Sequence, residues 1–422
     1  MEYGLIGEHL PHSFSPEIHK RIGDYKYEIK ELKPEELGEF LESRNFKGIN
    51  VTIPYKQAVI PYLDEIDDAA KEIGAVNTVV NRGGKLFGYN TDFGGLKALF
   101  ERTGISVSGK RAIIFGNGGT SKTAEAVLKN LGAKTVLKTD LVPSDGVITN
   151  EEAVLKHSDA KVLVNTTPCG MFPNLSGMAA DPADFPEVEG VIDVVYNPLK
   201  TDFIQRAQSL GIPAKGGLYM LVMQAILAAE HFFDEPIPKE KAESIYQELL
   251  RTKKNIVLIG MPGCGKSTVG KILSKELEMP IFDSDKVIIE KTGRQISDIF
   301  EKDGEPAFRK LESEAIFELS GKTGAIIATG GGAVLDPENV KNLSKNGKIY
   351  FIDRPLENLV PTADRPTASD FEAIKKRFEE RYEIYCGSAN KIIKAECAVN
   401  EVSERIKEDF LNENFGDYRA EP

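Results

Sequence analysis

Two stretches decide how this chain reads: Arg111-Ala-Ile-Ile-Phe-Gly-Asn-Gly-Gly-Thr-Ser121 and Lys254-Asn-Ile-Val-Leu-Ile-Gly-Met-Pro-Gly-Cys-Gly-Lys-Ser-Thr268. Each is a short β-branched run, then glycines, then apolar residues at helical spacing, the signature of a strand turning sharply into a helix. More than 100 residues separate them, too far apart to be halves of one nucleotide site. They therefore mark the cores of separate α/β domains.

The remaining sequence organises around these two turns. The first hundred residues alternate strand-like pieces (2–6, 48–53 and 78–80) with helical ones, which predicts a domain ahead of the first turn. Beyond that turn, Val-Leu-Val-Asn-Thr-Thr-Pro168 and Gly190-Val-Ile-Asp-Val-Val-Tyr-Asn-Pro198 read as further strands of a parallel sheet. The segment 234–254 starts charged and Pro-containing and continues as a helix, which puts a boundary near residue 252. The polar tail 412–422 reads as frayed. The resulting division is 1–103 completed by 215–250, then 104–214, then 253–411.

The composition suits a folded globular protein: 422 residues, 41% hydrophobic and 28% charged, with a formal net charge of −12. Such a balance excludes disorder over most of the length and disfavours nucleic-acid binding by broad charge neutralisation. No run approaches the ~18 apolar residues of a membrane span. Cys169, Cys264, Cys386 and Cys397 are scattered without metal or disulfide spacing, and His9, His12 and His19 share no ligand spacing with them. The N-terminal segment has neither a basic region nor an apolar core, so a cytoplasmic protein is expected.

Gly116-Asn117-Gly118-Gly119-Thr120-Ser121 opens a helix after a strand, where unpaired N–H groups and the helix dipole favour a pyrophosphate. The same glycines also serve plain strand–helix packing. Their context is more specific. Ahead of them, in order, stand His12-Ser-Phe-Ser-Pro16, Asn50-Val-Thr-Ile-Pro-Tyr-Lys56, Gly74-Ala-Val-Asn-Thr78 and Gly88-Tyr-Asn-Thr-Asp92. Behind them come Asn165-Thr-Thr-Pro-Cys-Gly-Met171, Asp193-Val-Val-Tyr196 and Gly217-Leu-Tyr-Met-Leu-Val-Met-Gln224.

This ordered set resembles the shikimate dehydrogenase family across residues 1–250. The resemblance implies an α/β substrate lobe joined to a Rossmann-like dinucleotide lobe, and reduction of 3-dehydroshikimate to shikimate. It carries over Lys56 as acid/base group and Asp92 as its electrostatic partner, which suits a carbonyl oxygen that gains charge as hydride arrives. It assigns the substrate carboxylate to Ser13 and Ser15, and ring hydroxyls to Thr52, Asn77 and Gln224, with Tyr196 nearby. Thr166 and Gly217 join the glycine turn at the cofactor. Read from the residues alone, Ser15-Pro16 is also a natural helix start and Asp92 a natural cap. A quinate-preferring dehydrogenase fits the same ring-binding residues.

Cofactor choice departs from the family pattern. The strand Thr135-Val-Leu-Lys-Thr-Asp140 ends some 20 residues beyond the glycines, where such folds read the adenosine ribose. NADP-using members typically carry Asn-Arg-Thr there; this chain has Asp140-Leu141-Val142. A carboxylate repels a 2′-phosphate and accepts from a 2′-hydroxyl. The expectation is that NAD(H) serves at least as well as NADP(H), unless Lys138 turns inward to a phosphate.

In the second half, Gly260-Met-Pro-Gly-Cys-Gly-Lys-Ser-Thr268 satisfies the P-loop pattern. Backbone N–H groups cradle phosphates, Lys266 reaches their outer oxygens and the Ser267 hydroxyl meets Mg²⁺. Gly263, Cys264, Gly265 and Thr268 complete the cradle. Asp283-Ser-Asp285, the run from Thr292 to Glu312 containing Arg309, Gly330-Gly-Gly332, Asp364-Arg365-Pro366 and Arg381-Tyr-Glu-Ile-Tyr385 follow. This set resembles shikimate kinase over residues 253–395 and implies a P-loop α/β/α domain that phosphorylates shikimate from ATP. By resemblance Arg309 and Arg381 clamp the substrate carboxylate, and Asp285 binds the acceptor hydroxyls and draws off the proton. Asp283 helps hold magnesium, Gly331 offers backbone contact to the ring, and Arg365 closes a lid over ATP. The lid reads Arg365-Pro-Thr-Ala368 where the family has Arg-Pro-Leu-Leu, and residues 357–364 lack a further upstream arginine.

Two activities for consecutive steps of the chorismate route on one chain follow from the two resemblances. The partners expected are small molecules only, with no nucleic acid and no membrane. A metabolite-sensing regulator on the same folds would be expected to have lost Lys56, Asp92, Lys266 or Asp285, and all four are present.

Overall fold

A computed structural model describes residues 1–10, 13–359 and 371–412. The chain divides into two compact units, one ending at Glu248 and the other beginning at Leu249.

The first unit holds two sheets. Strands β1 (Tyr3–Gly7), β2 (Tyr27–Glu31), β3 (Gly48–Val51), β4 (Glu65–Ile66), β5 (Thr78–Arg82) and β6 (Lys85–Tyr89) form a mixed sheet in the order β2-β1-β3-β5-β6-β4. All five residues of β1 and all four of β3 are buried, because both strands are central. Leu37, Leu41, Ile49, Val59 and Val79 are among the core residues beneath them. β3 stops at Val51, short of the expected Ile53. Pro54 has no N–H to continue a ladder, and the chain turns at Thr52, whose carbonyl accepts from the Tyr55 N–H at 2.9 Å.

Strands β7 (Arg111–Phe115), β8 (Thr135–Asp140), β9 (Val147–Thr149), β10 (Val162–Asn165), β11 (Gly190–Asp193) and β12 (Ala214–Lys215) form the second sheet, ordered β12-β11-β10-β7-β8-β9 and parallel throughout. Side chains of β7 alternate between two cores. Ala112 and Ile114 face Leu96, Phe100 and Val127, while Ile113 and Phe115 face Leu163, Phe185 and Phe203. The strand order reverses between β7 and β10, and ligands of such sheets bind outside the carboxyl ends of the strands at that point.

The helices Thr91–Thr103 and Leu218–Phe233 pack closely in this unit. Gly95 makes that possible: a Cβ there would lie 2.7 Å from the Met220 carbonyl and 3.2 Å from the Gln224 Cβ. Gln224 is thereby seated beside Gly95, three residues beyond Asp92 on the same helix.

In the second unit, β13 (Asn255–Ile259), β14 (Ile281–Asp283), β15 (Ile326–Ala328), β16 (Gly347–Asp353) and β17 (Lys391–Lys394) form a parallel sheet ordered β14-β15-β13-β16-β17. Its core includes Val257, Ile259, Val269, Leu273, Ile327 and Phe351. The long helix Ile296–Ser320 breaks at Gly304, whose φ of 81° and ψ of 171° are not helical. Among the described residues no helix is long and apolar enough to cross a membrane.

Candidate active sites

Lys56 lies in the turn beyond β3, and its Nζ stands 2.6 Å from Asp92 Oδ2. Their side chains are 20% and 12% exposed, so the pair is open enough to meet a ligand and sheltered enough for its charges to matter. The cap of the helix Thr91–Thr103 is Asn90, not Asp92: Asn90 Oδ1 accepts from the Phe93 N–H at 3.2 Å. That corrects the sequence reading, which had Asp92 capping. An Asn at this position satisfies the orphan N–H, so Asp92 in the first turn keeps its carboxylate for Lys56.

A buried polar network backs the pair. Asn77 Oδ1 accepts from the Thr91 N–H at 2.7 Å and Asn77 Nδ2 lies 3.1 Å from Thr91 Oγ1. Asn50 Nδ2 donates to Thr78 Oγ1 at 3.1 Å, and the Tyr27 hydroxyl donates to Asn50 Oδ1 at 2.7 Å. Nothing in a linear pattern says that Asn50 and Thr91, within their motifs, face inward. Gln224 Nε2 donates to the Leu221 carbonyl at 2.9 Å, and Thr52 is half-buried. Ser13 Oγ accepts from the Ser15 N–H at 3.2 Å where the helix Ser15–Ile22 begins. Phe14 between them meets Tyr196, ring centroids 5.2 Å apart, and burial raises the Tyr196 phenol pKa. His12, part of the same motif, lies outside the described residues.

At the carboxyl end of β7, Gly116 adopts a φ of 110°, and a Cβ there would sit 2.7 Å from Thr166 Oγ1. Only glycine fits that approach. Asn117, Gly118 and Gly119 are exposed, and no atom lies within 4 Å of a Cβ built on either glycine. The start of the helix Gly119–Asn130 is thus an open cradle of the kind that holds a pyrophosphate. Thr120 is half-buried, Ser121 donates to the Gly118 carbonyl at 2.7 Å, and Gly217 caps the helix Leu218–Phe233. Asp140 ends β8 and accepts from the Leu141 N–H at 2.7 Å. Lys138 Nζ stands 2.8 Å from Glu125 Oε2.

Asp193, to which the sequence reading gave no role, ties β10 to β11. It is buried and accepts from Asn165 Nδ2 at 2.9 Å, from the Val195 N–H at 3.0 Å and from the Thr201 hydroxyl at 2.6 Å. Burial pushes its carboxyl up to about 6, the three hydrogen bonds pulling the other way.

In the second unit Gly260, Gly263 and Gly265 all have positive φ, which lets the loop after β13 curl. Lys266 Nζ donates to the Gly260 carbonyl at 2.8 Å and to the Met261 carbonyl at 3.0 Å. Ser267 Oγ donates to Asp283 Oδ2 at 2.8 Å, and Asp283 Oδ1 accepts from the Asp285 N–H at 3.1 Å. A cavity of about 730 Å³ opens here, lined by Gly263 through Thr268, Asp283, Asp285, Thr329 and Arg354. A second cavity of about 90 Å³ is lined by Pro262, Asp285, Arg309, Glu312, Gly331 and Arg381. Asp285 belongs to both.

Arg309 is gripped by two acids, Glu312 Oε2 at 2.6 Å and Glu305 Oε1 at 2.8 Å. Arg381 Nη1 and the Tyr385 hydroxyl both donate to the Gly331 carbonyl, the former at 3.2 Å. Arg365 lies outside the described residues, as do positions 413–422 of the tail.

Comparison with known proteins finds a family for each unit. Residues 5–79 match the model of the shikimate dehydrogenase substrate binding domain, and residues 262–411 match that of shikimate kinase. A shikimate dehydrogenase (NADP(+)) of Clostridium perfringens is 37% identical over 271 residues, spanning 58% of this chain and 97% of the relative. The crystal structure of a chorismate mutase/shikimate 5-dehydrogenase fusion protein from Clostridium acetobutylicum is 33% identical, with a TM-score of 0.56, covering 58% of this chain and 96% of that one. The Thermus thermophilus shikimate 5-dehydrogenase in complex with NADP(H) and shikimate is 29% identical with a TM-score of 0.54, covering 59% and 99%. The chain therefore belongs to the shikimate dehydrogenase family and carries a shikimate kinase domain behind it, a bifunctional enzyme that joins an oxidoreductase to a phosphotransferase.

Proposed function

We propose that the first unit reduces 3-dehydroshikimate to shikimate and that the second transfers a phosphoryl group from Mg·ATP to that product, giving shikimate 3-phosphate. The observation that carries this reading is that Asp285 lines both cavities of the second unit. One cavity has the phosphate cradle and the other has the guanidinium groups of Arg309 and Arg381, so Asp285 stands where an acceptor hydroxyl must meet the nucleotide. It takes that hydroxyl's proton as the phosphoryl group arrives, while the arginines hold the acceptor's carboxylate.

Ser267 and Asp283 fit a magnesium ion: two hard oxygen donors stand 2.8 Å apart at the phosphate cradle. With only two protein donors, such an ion would be completed by phosphate and water.

In the first unit, 1–103 with 215–250 serve as substrate lobe and 104–214 as cofactor lobe. The open glycine cradle fits a dinucleotide, which supplies the hydride. Lys56 gives its proton to the substrate's carbonyl oxygen and regains one from solvent, and Asp92 holds the ammonium in place. Ser13 and Ser15 receive the carboxylate; Thr52, Asn77 and Gln224 receive hydroxyls. With Lys138 engaged by Glu125, Asp140 is the charged group at the end of β8, which supports use of NAD(H) at least as well as NADP(H).

Incubation with 3-dehydroshikimate, reduced nicotinamide cofactor and Mg·ATP tests the whole reading by mass analysis of products. Shikimate without ATP and shikimate 3-phosphate with it are expected. Shikimate that accumulates while ATP stays unconsumed would overturn the second half.

A further inference from the structure

We propose that Arg354 is a ligand of the nucleotide's phosphate chain, an assignment that rests on reading the cavity above as the nucleotide site. The position follows from the sheet. β16 runs parallel to β13 with Phe351 opposite Ile259, so the residues after the two strands emerge side by side. After β13 comes the phosphate cradle, and after β16 comes Arg354. This is the reversal point in the strand order, flanked by β15 on one side and β16 on the other.

The side chain is laid onto the cradle itself. Arg354 Nε donates to the Cys264 carbonyl at 3.0 Å, which fixes the guanidinium plane. Its Nη2 is buried, has no hydrogen-bond partner among the described residues, and lies 4.0 Å from the Cβ position of Gly265. Adjacent Asp353 does not neutralise it, since that carboxylate accepts from Lys394 at 2.5 Å and from the Tyr382 hydroxyl at 3.1 Å. A buried cationic donor without a partner is an arrangement that proteins avoid unless something else supplies the acceptor. Arg354 lines the same cavity as Lys266, Ser267 and Thr268, the groups that face phosphates. A guanidinium anchored through Nε presents its two remaining nitrogens as a fork, and phosphate oxygens match that fork. A base stacked on the guanidinium face would leave Nη2 without an acceptor, so the phosphate chain is the favoured occupant.

The full-length protein tests this. Arg354→Ala should weaken MgADP binding, measured by calorimetry without shikimate, by about 10- to 100-fold, the loss of a charge-assisted pair. Competitive inhibition by inorganic tripolyphosphate should weaken in parallel. The KM for shikimate, the dehydrogenase rate and the unfolding midpoint should stay unchanged. Because Pro262 of the same loop lines the acceptor cavity, a merely structural tie would raise the shikimate KM as well, and that result overturns the proposal. Weaker MgADP with unchanged tripolyphosphate would place the contact at the base and also overturn it. If Arg354→Ala fails to fold, Arg354→Lys decides: intermediate weakening supports the assignment and wild-type affinity refutes it. Lys266→Ala serves as the control for the site. If it too leaves MgADP binding intact, the nucleotide reading has failed; if only Lys266 matters, Arg354 alone was misassigned.

Discussion

Arg309 allows the sharpest quantitative test of the acceptor site. The guanidinium is held by two acids of very different standing: the Glu312 side chain is 1% exposed and the Glu305 side chain 56% exposed. Glu312 is built into the helix core and cannot leave without stranding a buried charge. Glu305 sits in water at low cost. An incoming carboxylate should therefore displace Glu305 and keep Glu312 as the anchor. Removing Arg309 deletes the charge-assisted pair to the substrate, about 1.5–3 kcal/mol, so Arg309→Ala should weaken shikimate by roughly 10- to 150-fold. Removing the competitor works the other way. An exposed ion pair is worth about 0.2–1 kcal/mol, so Glu305→Gln should tighten shikimate by about 1.4- to 5-fold.

The assay is the KM for shikimate at saturating Mg·ATP, with the KM for ATP as internal control. The gain in Glu305→Gln should shrink as salt is raised, because the pair it removes is screened. Arg309→Ala also leaves Glu312 without its cation, so the double variant Arg309→Ala/Glu312→Gln separates folding cost from binding cost. A Glu305→Gln enzyme whose shikimate KM is unchanged or higher at low salt would refute the displacement argument. An Arg309→Ala enzyme that loses ATP rather than shikimate affinity would refute the acceptor site.

In the first unit, Lys56→Ala should lower the dehydrogenase rate by about 10²–10⁴, the usual worth of general acid/base catalysis, with the kinase rate kept within a few-fold because the units have separate cores. A variant retaining most reductase activity excludes Lys56 as proton donor. Asp193 makes stability depend on pH: its carboxyl is raised from 3.8 to about 6, so stability it lends in the protonated form is present below 3.8 and lost as pH rises through 6. Denaturant unfolding of wild type against Asp193→Asn should show the wild type losing about 2 kcal/mol relative to the variant between pH 4 and pH 7, and a flat difference would mean that the folded carboxyl is not raised. Steady-state kinetics should give NAD(H) a kcat/KM at least equal to that of NADP(H), and a tenfold advantage for NADP(H), about 1.4 kcal/mol, would show that Asp140 does not set the preference.

What could be read from the sequence divides along physical lines. Local pattern picks out the central strands β1, β3, β5, β7, β10, β11 and β13, whereas β16, central and almost wholly buried too, is not among the expected strands. The edge strands β2 and β4 escaped, since Tyr27–Glu31 is mostly exposed and Glu65–Ile66 is only two residues long. Lys56, Lys266 and Asp283 stand at the end of a strand or the start of a helix, where a contiguous motif fixes position along the chain. Asn90 was overlooked as the cap in favour of Asp92 because both are good caps two residues apart, and only the backbone geometry tells which Asx side chain reaches the third helical N–H.

The groups that remained hidden act through a partner far away in the sequence. Asn50 meets Thr78, Asp193 meets Asn165, and Arg354 meets Cys264. Each pair forms because two parallel or antiparallel strands place their ends side by side, and strand order is a property of the whole sheet that no window of sequence contains. Arg354 shows the consequence most clearly. As a letter it follows a strand and precedes a proline. Only the adjacency of β13 and β16 turns it into a cation lying on the phosphate loop, and that adjacency is why the carboxyl ends of strands around a reversal in strand order are where unrecognised binding residues should be sought first.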